Sequence, residues 1–156
     1  MIIVYTPAGG EPEHYDARSL KVSEASIVAR TVDQPWHQIR DEGLLHEDLD
    51  AMRGIVWVLK KRTQPSLRFG EFDPGVEEMY TRYDKQEIEN YVQAAVPLAR
   101  AEGLDDEQVL ESLSKLPEAA IDPEHCEATI RRVVADPKDG PSPLTSSESS
   151  PETSAP

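Results

Sequence analysis

His46-Glu47 opens like the HExxH pair of a zinc metalloprotease, but Asp50 stands where the second histidine belongs, so the metal motif fails. The other histidines, His14, His37 and His125, are scattered. His125 neighbours Cys126 without companion ligands at metal spacing, so no cofactor or metal site is expected. Thirty acidic residues supply carboxylate pairs such as Glu77-Glu78 and Asp105-Asp106. None sits in a pattern that specifies general acid–base work, and most stand where helix caps, first turns and solvated faces place them. Cys126 falls on the apolar stripe of its helix, the place of a small buried hydrophobe rather than a nucleophile. GxxxxGK[ST], GxGxxG and GxSxG are absent, and Gly9-Gly10 reads as a turn. No enzyme is expected.

The remaining candidate chemistry is recognition. Met52 to Asp73 reads MRGIVWVLKKRTQPSLRFGEFD. A helix capped by Asp48 and running to Arg62 puts Leu49, Met52, Ile55, Val56 and Leu59 on one core-facing stripe. Trp57 falls outside that stripe, flanked on the wheel by Arg53, Lys60 and Lys61. Two readings stand for the indole: a second core contact against the N-terminal hairpin or Trp36, or an anchor for a partner, since Trp and Arg are enriched at interface hot spots. Lys60-Lys61-Arg62 also complements a helix C-terminal dipole. Gly54, costly within a helix, makes room for the indole or for a neighbouring backbone.

The elements that must position these residues follow from local signals. Ile2 to Tyr5 is strand-like and ends at the Pro7 to Gly10 turn; a second strand over His14 to Leu20 completes a small hairpin. Ser23 caps a helix to Val32 with Ile27, Val28 and Val32 as its apolar positions. Asp33 and Pro35 start a turn or two carrying Trp36 and Ile39, closed by Gly43. Leu67 to Phe72 fits either a short strand or one helical turn capped by Ser66, and Glu71 to Glu78 reads as a loop.

The second half is helical. Asp84 with Glu87 forms a capping box ahead of the stripe Ile88, Tyr91, Val92, Ala95 and Ala99, with Pro97 set to kink or divide the helix before Gly103. Asp105 caps a helix with Val109, Leu110, Leu113 and Leu116 inward. Asp122-Pro123 opens a last one, with Cys126, Ile130, Val133 and Val134 on its face and Pro137 as its stop. Only Leu144 is a large apolar residue beyond Asp136, so residues 137–156 read as a disordered Pro/Ser-rich tail. The fold class is therefore mainly α with a small N-terminal β-hairpin (α+β). Its parts are residues 1–78, a helical part 79–136, and the tail.

A net charge of −14 opposes broad binding to nucleic acid or anionic lipid. One cysteine cannot form an internal disulfide, which suits a reducing compartment. MIIVYTP has neither the basic start nor the apolar length of a signal peptide, and the run Ile55 to Leu59 is far too short to span a bilayer. A cytosolic protein is expected.

The order of elements resembles the tail assembly chaperones of long-tailed bacteriophages, especially those infecting actinobacteria. Glu24-Ala25, Trp36, Ile55 to Leu59, Lys61-Arg62, Pro65, Leu67, Phe69 and Asp73 stand at the matching places, over about residues 1–75. The resemblance implies a non-enzymatic protein of the host cytoplasm, absent from the mature virion. It would hold the tape measure protein soluble while tail tube subunits assemble, often beside a longer form of itself made by ribosomal frameshifting. Trp36, Arg53, Trp57, Lys60, Lys61, Leu67, Phe69 and Phe72 are the candidate partner contacts. A structural or adaptor component of the virion is the alternative reading.

Overall fold

The chain is seen in a computed structural model that describes residues 1–136; the segment expected to form the tail, 137–156, lies outside the described residues. The fold is mainly α, with a small antiparallel sheet built on the N-terminus.

Strand β1 (Ile2–Tyr5) is its centre, with Ile3 and Val4 buried on opposite faces. Gly9 at φ +71° lets the chain turn back, and Gly10 N–H closes the turn on the Pro7 carbonyl at 2.8 Å. Strand β2 (Glu13–Asp16) pairs with β1, placing Tyr5 opposite Glu13 and Ile3 opposite Tyr15. It stops four residues short of the expected Leu20, because the Asp16 carboxylate accepts the Arg18 N–H at 2.9 Å and bends residues 17–19 into a 3-10 turn.

Strand β3 (Met79–Arg82) pairs with the other side of β1 and makes the order β2-β1-β3. It has no counterpart in the sequence reading. Four residues with one aromatic, wedged between a loop signal and a helix cap, carry no alternation long enough to register. Residues 79–82 thus belong with the N-terminal unit, and the change to helical structure comes at Tyr83-Asp84 rather than after residue 78.

Helix α1 (Val22–Thr31) is entered from Lys21, two residues ahead of the expected Ser23 cap; its entry is fixed by the Lys21 N–H donating to Glu24 Oε2 at 2.7 Å. Ala25 and Val28 face inward, whereas Ile27, expected on the core face, is 38 % exposed because it stands about 200° around the helix from Ala25. A short turn, α2 (Trp36–Gln38), runs into a wide π-type turn at Ile39–Gly43 that buries Ile39 completely.

Helix α3 (Leu49–Lys60) begins at Asp48, whose Oδ1 accepts the Ala51 N–H at 2.9 Å. Met52, Ile55, Val56 and Leu59 are buried as the stripe requires, while Leu49 is 40 % exposed. Ala51, Gly54, Trp57 and Val58 are buried too, so the helix is enclosed on nearly every side instead of along one third of its surface. α1 covers one side, the sheet a second and the loop 63–73 a third. Gly54 admits α1 rather than the indole: a Cβ there would stand 2.8 Å from Val32 Cγ1 and 3.0 Å from Val28 Cγ1.

Helices α4 (Lys85–Ala101), α5 (Asp106–Ser112) and α6 (Pro123–Ala135) enclose a second core of Ile88, Val92, Val96, Val109, Leu113, Cys126, Ile130 and Val134. All three caps read from the sequence for these helices are present. Asp84 Oδ1 accepts from Glu87 N at 3.0 Å, Asp105 Oδ1 from Gln108 N at 2.9 Å, and Asp122 Oδ1 from His125 N at 3.0 Å. Gly103, at φ +92°, ends α4 as expected. Pro97 does not divide α4, which runs through it. The inward stripe steps Ile88, Val92, Val96, leaving Tyr91 55 % exposed; Leu110, also expected inward, is 41 % exposed.

The two cores meet through polar links. Tyr83 N–H donates to Ala119 O and Ile121 N–H to Tyr83 O, both at 2.9 Å. The Met1 amine lies 3.2 Å from Asp84 and 2.5 Å from Glu87, and Arg18 lies 2.9 Å from Asp84.

Candidate functional site

Seven of the eight candidate contact residues converge on α3 from Arg53 onward and on the loop that follows it. Trp57 is 7 % exposed, its indole N–H donates to the Leu67 carbonyl at 3.0 Å, and its ring meets Phe69 edge-on at 5.3 Å. Arg53, one turn earlier, reaches the same loop. Its Nε donates to Phe72 O at 2.7 Å, its Nη2 to Phe69 O at 3.1 Å, and its guanidinium lies 4.2 Å from the Phe69 ring centre. Phe72 is buried and meets Tyr5 of β1 edge-on at 5.4 Å. Loop 63–73 is therefore fastened over α3 through three of its carbonyls and both of its phenylalanines. Pro65 and a 3-10 turn at Phe69–Glu71, entered from Arg68 rather than Ser66, give it the bend it needs.

The basic knot divides three ways. Lys60, 14 % exposed at its side chain, turns inward: Nζ lies 2.6 Å from Glu13 Oε2 and 3.2 Å from Tyr15 Oη, with the rings of Tyr5 and Tyr15 at 5.2 and 5.7 Å. Burial alone would raise the Glu13 carboxyl; its bonds to Lys60 and Tyr15 instead hold it below its ordinary value. Burial, and then Glu13, push the Tyr15 hydroxyl well up. Lys61 lies over the Trp57 ring at 5.0 Å. Arg62 pairs with Glu24 of α1 at 2.7 Å, and that bond is the main reason the Glu24 carboxyl sits at about 2.

Trp36 stands apart. Half-buried, it lines a cleft of about 440 Å³ between the two cores, with Met1, Leu20 and Leu44 as its other apolar walls and Arg18 and Arg40 at its rim. A smaller cleft, about 310 Å³, runs beside β3 along Leu45, Glu47 and Tyr83.

Of the groups weighed for catalysis, His125 lies 3.3 Å from Glu89 across the α4–α6 contact, and the buried Cys126 thiol is pushed up by burial. The described residues contain no group of three or more His, Cys, Asp or Glu able to hold a metal ion. No helix among them is long and apolar enough to cross a membrane.

The Lys60 cage escaped the sequence reading, although its signal was available. Ile3 and Tyr5 alternate on β1 as Glu13 and Tyr15 do on β2, and the hairpin brings those positions onto one face. What no local pattern supplied was the rotation of α3 that aims Lys60 at them.

No protein-family profile, curated protein or solved structure matches the chain.

Proposed function

We propose that this chain is a tail assembly chaperone of a long-tailed bacteriophage, acting in the host cytoplasm to keep the tape measure protein soluble while tail tube subunits assemble around it. It does no covalent chemistry in this reading and leaves the particle before maturation. A frameshifted longer form would share residues of its folded part.

One observation carries the reading. Of the positions behind the resemblance, Glu24, Ala25, Trp36, Ile55 to Leu59, Lys61, Arg62, Leu67 and Phe69 pack in or against the N-terminal unit although they are spread over about a third of the chain, while Pro65 and Asp73 stand exposed in the loop that closes over α3. A pattern that spans so much sequence and converges on one packed unit is a fold constraint, the kind of pattern a family shares. Further support comes from the surface. Leu45, Val76, Tyr91 and Leu98 are each more than half exposed, apolar groups suited to cover the stripes of a helical client. The −14 charge keeps such a complex dispersed.

Within that role Trp36, Lys61, Leu67 and Phe69, half-buried, are the reachable members of the candidate set. Arg53, Trp57, Lys60 and Phe72 act from inside, by shaping the loop that presents Leu67 and Phe69.

Co-expression with the tape measure protein tests the proposal. The client should be soluble with this chain and aggregate without it; equal solubility in both cases sinks the reading. Mass spectrometry of purified particles separates it from a virion component, since the chaperone should be missing from them.

A further inference from the structure

The outer edge of β3 is closed by side chains, and the closure is specific. Thr6 N–H donates to Glu78 O at 2.8 Å, which fixes the alternation: Glu78, Tyr80 and Arg82 bond to β1, while Met79, Thr81 and Tyr83 turn their backbone groups outward. Tyr83 is paired with residues 119–121. The Thr81 N–H donates to Glu47 Oε1 at 2.7 Å, and its hydroxyl reaches the same oxygen at 3.1 Å. The Thr81 carbonyl accepts from Arg82 Nη1 at 2.8 Å. Glu47 holds this position with φ +53°, a conformation uncommon for a residue with a Cβ. Its two bonds to Thr81 are the hydrogen bonds that tie the 44–47 segment to β3.

We propose that Glu47 is an edge guard, holding β3 against antiparallel pairing with the β3 of a second copy of this chain. The edge is self-complementary. A two-fold axis at Tyr80 sets Met79 opposite the copy's Thr81 and Thr81 opposite the copy's Met79, two bonded pairs making four backbone hydrogen bonds. It also brings the two Tyr80 rings, each carrying its own Arg82 at 4.2 Å, across from each other in the close non-bonded position. Two features oppose that union. The Glu47 carboxylate occupies the donor a partner strand would need, and adding it to both copies sets two anions into one interface. The mutual repulsion of −14 chains acts in the same direction, at longer range.

Sedimentation velocity in 0.5 M NaCl, which screens the long-range repulsion, tests the guard against the wild-type chain. Glu47→Gly removes the carboxylate and suits the left-handed backbone, so the fold is kept. Glu47→Asn is the second variant, tolerant of the same φ but too short to reach Thr81. Both should self-associate at least about tenfold more tightly than wild type, and adding Thr81→Pro, which deletes the donor on the outer edge, should restore the wild-type state. The proposal is overturned if both variants, folded by circular dichroism, sediment as wild type does. It is equally overturned if their self-association survives Thr81→Pro, because the contact would then lie elsewhere.

Discussion

The two cores of this protein are built by opposite means. The first depends on long-range closure: α3 lies between α1, a sheet whose outer strands are far apart in sequence, and a loop fastened by Arg53 and Trp57. Its walls are aromatic, with Tyr5, Tyr15, Phe69 and Phe72 gathered around α3. The second core is aliphatic. Ile88, Val92, Val96, Val109 and Ile130 face one another from three helices, each started by an aspartate cap. Local signals set where its elements begin and end, and ordinary apolar burial does the rest. A chain can thus join a unit specified by punctuation to one specified by tertiary closure, and the candidate recognition residues cluster in the latter.

The contrast makes Trp57 the most consequential side chain in the first unit. Trp57→Ala should cost about 3–5 kcal/mol, through the cavity and the loss of the Leu67 bond that holds the loop down. Chemical denaturation checks the value; a loss below about 1 kcal/mol would mean that the loop is not fastened through the indole.

A smaller pair of substitutions sharpens the comparison, because each alters a helix-breaking residue inside a helix. Pro97→Ala restores a backbone donor in α4 and should stabilise the chain by up to about 3 kcal/mol. Gly54→Ala also improves helix propensity, by about 1 kcal/mol, yet its Cβ would press on Val28 and Val32 of α1. Overpacking of that kind costs about 1–3 kcal/mol, so the net effect should be destabilising. Thermal unfolding of the two variants should therefore move in opposite directions. If both rise, α1 does not pack on α3 as tightly as described.

The second unit was largely legible in the sequence. Asp84, Asp105 and Asp122 each cap the helix expected of them, because a capping residue acts on a backbone three positions away. Tyr91 and Leu110 were misplaced for a related reason: a wheel shows which residues share a face, and the neighbouring helices decide how wide a face is covered. In the first unit, the hairpin, the Asp48 cap and the stripe of α3 could be read. Strand β3 could not, since four mixed residues become a strand only when β1 supplies the partner. The candidate site was half legible. Its residue types stood out at Trp57 and the basic knot, but the inward turn of Lys60 and the clasp of Arg53 on two carbonyls depend on contacts between distant elements.

The closed state of the first unit is open to one direct measurement. In a Trp36→Phe variant, Trp57 is the sole tryptophan, and acrylamide quenching of its fluorescence reports whether the loop seals α3. An indole 7 % exposed and bonded to Leu67 should be quenched far less than Trp36 is in the reciprocal Trp57→Phe variant. Equal quenching of the two would show that loop 63–73 does not close over α3, and would contradict the account of how this core is built.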